Sequence, residues 1–132
     1  MSANTKKVSM SVLFSLLVGV LLTTTGCGGD SGQQQFESTG NLKAIIAALQ
    51  TYQKDNGGWP DALDQVIEAN SLLSGKMANP LTGDNPGYEY VKPGDDATAE
   101  TIVLYQLRDG KRDETVEVAY LDGSVRPIEK QE

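Results

Sequence analysis

Leu42-Lys43-Ala44-Ile45-Ile46-Ala47-Ala48-Leu49-Gln50-Thr51-Tyr52-Gln53-Lys54-Asp55-Asn56-Gly57-Gly58-Trp59-Pro60 is the stretch on which the fold turns. Leu42, Ile45, Ile46, Leu49 and Tyr52 recur at steps of three and four, with Ala44, Ala47 and Ala48 between them, which is the pattern of an amphipathic helix. Asn56-Gly57-Gly58 offers a left-handed cap and Pro60 bars continuation, so the helix is expected to end there. A lone helix ahead of strand-forming sequence buries such a stripe against a sheet.

Downstream, Leu63, Val66 and Ile67 lie at helical spacing within Asp61 to Asn70, and Leu72-Leu73 extend the apolar content to Gly75. A second, short helix is predicted. Asn79 to Gly87 is dense in turn formers and leads into a strand over Tyr88 to Val91, closed by Pro93. Thr101 to Arg108, Glu114 to Leu121 and Ser124 to Ile128 read as further antiparallel strands. Asp122-Gly123 predicts a two-residue hairpin, with Tyr120 facing Val125, and Asp109-Gly110 through Asp113 a longer one. Pro127 cannot donate to a ladder, which puts the last strand at an edge. The expected fold class is α+β: an N-terminal amphipathic helix and a short helix packed on a three- to four-stranded antiparallel sheet.

Upstream, the chain opens with Lys6-Lys7, an apolar run from Val8 to Leu22 and then Thr23-Thr24-Thr25-Gly26-Cys27, the three-part plan of an export signal. Val8 to Leu22 is shorter than the ~20 apolar residues that a spanning helix needs. Gly28 to Gln35 holds no apolar residue and is expected to be a flexible tether. The expected organisation is a signal peptide over 1–26, Cys27 with its tether over 27–35, and one α+β domain over 36–132.

Composition narrows the chemistry. The 132 residues carry 11 Lys and Arg against 18 Asp and Glu, a formal charge of −7, so no basic surface exists to neutralise nucleic-acid phosphates. Removal of residues 1–26 would take away Lys6 and Lys7 and no acid. The chain has no His and one Cys, which removes His-based acid–base catalysis, Ser–His and Cys–His pairs and nearly every zinc site. No pair of carboxylates is placed on facing rigid elements, and the serines have no base near them but Lys76 beside Ser74. The chain is therefore read as no enzyme. Asp95-Asp96 with Glu100, and Asp109 with Asp113 and Glu114, are acidic groups in predicted loops where oxygen ligands could meet Ca²⁺. Neither has the alternating spacing of a specific calcium loop, and solvated turns use the same residues. Trp59, Tyr88 and Tyr90 are candidates for a recognition patch, or for closing the core where loop meets sheet.

Two resemblances follow from these residues. The segment ending in Thr25-Gly26-Cys27 resembles a bacterial lipoprotein signal, which implies cleavage before Cys27 and a diacylglycerol and an acyl chain on that residue. Gly28, rather than Asp, after the Cys implies the outer membrane with the domain facing the periplasm. The run Leu42 to Pro60, then Asn79-Pro80-Leu81-Thr82-Gly83 before Tyr88-Glu89-Tyr90-Val91, and Ala119-Tyr120-Leu121-Asp122-Gly123-Ser124-Val125, resembles the periplasmic part of type II secretion pseudopilins, above all the major pseudopilin. That likeness covers about Phe36 to Ile128 and implies a pseudopilin-like head, a calcium-holding loop between late strands, and contact with envelope proteins, secretion components among them. The family's short basic leader, its early Glu and its long apolar helix have no counterpart here, so fibre subunit is not the implied function. Two readings stay open: a membrane-tethered structural or interaction module, and a module binding Ca²⁺ or a small ligand.

Overall fold

The computed structural model describes residues 30–130; Cys27 and the expected signal peptide lie outside them. A long helix, α1 (Asp30–Asn56), is followed by a short helix α2 (Leu63–Ala69), a 3₁₀ helix (Ser71–Lys76) and five antiparallel strands. These are β1 (Tyr88–Tyr90), β2 (Ile102–Arg108), β3 (Lys111–Arg112), β4 (Glu117–Tyr120) and β5 (Val125–Pro127). The strand order is β1-β2-β4-β5, with β3 attached to β2. No helix among the described residues is long and apolar enough to cross a membrane.

The predicted stripe is the core. Leu42, Ile45, Ile46 and Leu49 are essentially inaccessible and pack against Tyr88, Val103, Leu104 and Ala119 of the sheet, with Val66 and Leu73 closing one side. Each such aliphatic side chain contributes roughly 1.5–3 kcal/mol of transfer free energy. The helix stops where its caps demand: Gly57 has φ +74°, and its N–H reaches the Gln53 carbonyl at 2.9 Å. Of the pair Leu72-Leu73, Leu73 joins the core and Leu72 is 79 % exposed.

The helix begins earlier than expected. Residues 30–35, assigned by composition to a flexible tether, are its first turns, and residues 31–37 are all exposed. No burial drives this. The glutamines are good helix formers, a turn added to a packed helix carries no nucleation cost, and Gln33 donates to Glu37 at 3.3 Å. Packing starts at Ser38, two residues after the expected domain boundary; Phe36 is 79 % exposed.

The two Asp-Gly hairpins exchange their expected geometries. Asp109 and Gly110 both have positive φ, 55° and 74°, and join Arg108 to Lys111 as a two-residue turn of the primed type. At Asp122-Gly123 the loop has three residues: the Gly123 N–H bonds to the Tyr120 carbonyl, Tyr120 N–H to the Ser124 carbonyl, and Gly123 has φ +91°. This is a turn closed by a glycine bulge. Val125 therefore faces Ala119, not Tyr120, and Arg126 faces Val118. The shift of one residue puts Arg126 on the sheet face away from α1, over the Tyr120 ring at 3.8 Å.

That outer face carries no second layer among the described residues and is covered by its own side chains. Arg112 lies 4.3 Å from the Tyr105 ring centroid and bonds Glu89 at 2.7 and 3.2 Å; Arg126 joins Tyr120 to Glu100 and Glu129. Val118, between the two stacks, is fully buried. Each exposed cation–π contact is worth about 0.5–1 kcal/mol.

Candidate functional site

A buried polar knot ties the first packed turn of α1 to the sheet. Ser38, Asn79, Gln106 and Tyr88 are 0, 1, 2 and 3 % exposed. The Ser38 hydroxyl lies 2.7 Å from Gln106 Oε1, 3.0 Å from Asn79 Oδ1 and 3.0 Å from the Tyr88 hydroxyl. Asn79 Nδ2 donates to Gln106 Oε1 at 2.9 Å, and Gln106 Nε2 to the Glu117 carbonyl at 2.9 Å. Burial pushes the Tyr88 phenol above its ordinary pKa, with the Ser38 and Asn41 hydrogen bonds opposing. Among the described residues no buried side-chain nitrogen or oxygen is left without a partner. A knot so completely satisfied holds elements together and leaves no group free to act on a ligand.

The expected aromatic patch divides accordingly. Tyr88 belongs to the core and is no surface residue; Trp59 and Tyr90 are half-buried against the same cluster. The Tyr90 hydroxyl donates to the Pro60 carbonyl at 2.9 Å, and burial, with Asp61 adding to it, pushes its pKa to about 12. The Trp-Pro step after α1 is thus tied to β1.

The expected metal residues are not brought together. Asp95 and Asp96 are exposed in the loop before β2, whereas Asp109 and Asp113 follow its other end, a strand length of roughly 20 Å away. Asp113 is buried and engaged: Arg108 lies at 2.7 Å, and the Thr115 hydroxyl and N–H donate at 2.5 and 3.0 Å. Asp109 is exposed, its N–H held with that of Gly110 by the Asp84 carboxylate. No three His, Cys, Asp or Glu side chains among the described residues gather closely enough to hold a metal ion.

The Thr115 hydroxyl, followed by Arg108, holds the Asp113 carboxyl below the usual carboxylate range. A depressed folded pKa contributes stability that is complete above the unfolded value, near 3.9, and is lost as pH falls through the folded one. The free energy of unfolding is therefore expected to fall below about pH 4 in the wild type, and less steeply in Asp113→Asn. Denaturant titrations at stepped pH check this; parallel slopes would place the acid sensitivity elsewhere.

Sequence reading missed the knot. The available signal was Gln106, two residues from the core residue Leu104 and on the same face of a strand, where a polar side chain needs buried partners. Comparison with protein-family models, curated proteins and solved structures finds no match for the chain.

Proposed function

We propose that this chain is a lipid-anchored, non-enzymatic module of the bacterial cell envelope, held at the outer membrane through Cys27 and displaying a pseudopilin-like domain to envelope proteins, secretion components among them. The observation that carries the reading is the course of α1, which from Asp30 runs through turns with no buried side chain among residues 31–37 and then becomes the spine of the core. A stalk leading into a helix-on-sheet head suits display. The polar groups most deeply buried serve the head's own cohesion, and the ion pairs of Arg112 and Arg126 lie on its outside. The absence of His from the sequence agrees with a role in contact, not catalysis.

The intact mass of the protein from the membrane fraction tests the anchor. The expected species is Cys27 to Glu132 carrying diacylglycerol and an acyl chain, found with outer-membrane markers, and Cys27→Ser is expected to lose that mass and that location. A wild-type species that begins at Met1, or one without lipid, overturns the anchor. Cross-linking in intact cells tests display: envelope proteins joined to the wild-type chain support it, and recovery of lipid and detergent alone sinks it.

A further inference from the structure

Phe36 and Leu72 are the large hydrophobic side chains left in solvent among the described residues, each 79 % exposed. Single exposed hydrophobics are ordinary, but these two stand beside one groove. Phe36 lines it from α1, with Gly40 one helical turn on; Lys76, Ala78 and Pro80 line it from the segment opposite, and Leu72 lies one 3₁₀ turn before Gly75, another lining residue. The groove measures about 590 Å³, whereas an apolar cavity of about 150 Å³ already admits benzene. Its wall is open at Gly40, where an added Cβ would meet nothing within 4 Å. An aromatic knob thus stands beside a hole that has room for one.

Charge selects the occupant. The lining carries one acid, Glu37, and one base, Lys76, and neither forms an ion pair among the described residues. The patch is therefore neutral on a chain of formal charge −7, so two copies can meet there without setting like charges face to face. A two-fold contact lays one patch against its own copy, and each contact is made twice. The groove lies along the side of α1 and not at its end, so the two-fold axis can run parallel to the helix and leave both Asp30 ends on one side, as two copies in one membrane require.

We propose that this chain forms a two-fold dimer through the Phe36 groove. Phe36 of each copy enters the groove of the other, and Glu37 of each faces Lys76 of the other. The dimer goes beyond the reading of the chain as an anchored module and does not depend on it.

The test mixes equal amounts of light and heavy-isotope full chain, in vesicles where the purified protein carries lipid and in buffer where it does not. A carbodiimide then joins carboxylate to amine where the two touch, forming an amide and taking up the water as a urea. About half of the Glu37–Lys76 linked peptides are expected to pair a light with a heavy chain. Links confined to one isotope, or no such link, overturn the proposal. Gly40→Leu fills the groove from a helical position that favours leucine over glycine. It is expected to remove the mixed links, while the melting temperature holds or rises at a dilution where the wild type is monomeric; mixed links that persist overturn the dimer. Glu37→Lys and Lys76→Glu are each expected to weaken association about threefold or more in sedimentation, and the double variant to restore it. A double variant no better than either single one places the contact elsewhere and overturns the proposal. So does a Phe36→Asp protein that leaves the vesicles with its oligomeric state unchanged, which would make the bilayer the occupant.

Discussion

Gly87→Ala is expected to be the most damaging conservative change in the domain, costing about 3–5 kcal/mol. A Cβ on residue 87 would sit 2.2 Å from Asn79 Cβ, 2.6 Å from Asn79 N and 2.8 Å from the Asp84 carbonyl oxygen. Two of these are backbone atoms of a loop already fixed from within, since Asn79 N–H bonds to the Asp84 carbonyl at 2.9 Å and Gly83 N–H to the Asn79 carbonyl at 2.8 Å. Residue 87 cannot withdraw either, because its N–H is held by the Met77 carbonyl at 2.7 Å and its carbonyl by Leu107 N–H at 2.8 Å. The conflict must therefore open the loop, and with it the Asn79 side of the buried knot. At 4–8 °C for each kcal/mol in a domain of about this size, the melting temperature should drop by roughly 12–40 °C. Gly75→Ala is the control: a Cβ there meets nothing within 4 Å, so stability should hold within about 0.5 kcal/mol. A Gly87→Ala protein as stable as the control would show that the Asn79–Gly87 loop is not drawn in against itself.

Gln106→Leu should cost about 2–4 kcal/mol although it keeps the volume and adds apolar surface. The loss is of partners: Asn79 Nδ2 would keep only the 3.5 Å contact to the Gly87 carbonyl, and the Glu117 carbonyl would lose its donor from Nε2. Ser38 would turn its proton to Asn79 or Tyr88, so its hydroxyl is not orphaned. Urea unfolding should show a lower midpoint with an unchanged slope. Ser38→Ala combined with Gln106→Leu should cost less than the two separately, by about 0.5–3 kcal/mol of coupling. A stable Gln106→Leu protein would mean that an apolar core serves as well as the knot at this position.

What the sequence made legible follows the reach of each signal. The Leu42 to Tyr52 stripe and the Gly57 cap are local and periodic, and both the helix and its end stand where they point. Strand positions were legible to within a residue, except that β4 starts at Glu117, three residues after the expected Glu114, and the two-residue β3 is the addition to the expected three or four strands. Turn geometry was not, because Asp-Gly satisfies both a primed turn and a bulged one, and the choice depends on how the flanking strands register. Asp84 shows the difficulty: its carboxylate holds the N–H groups of Asp109 and Gly110, 25 and 26 residues away. The knot is non-local in the same way, with partners up to 68 residues apart. The tether was misjudged for the opposite reason, since polarity without apolar content predicts no packing but does not forbid a helix that neighbouring turns have already nucleated.

A flexible string sets only distance, whereas a helix also sets bearing. Along Asp30 to Glu37 each residue advances the domain by about 1.5 Å and turns it by about 100° relative to the helix's first turn. One residue deleted among Gln33, Gln34 and Gln35 would swing the β1 edge through more than a quarter circle while hardly changing its height. Seven inserted residues would raise the domain by about 10 Å and leave it pointing within about 20° of its original direction. The number of residues between Asp30 and Ser38 is then a matter of aim as much as of reach.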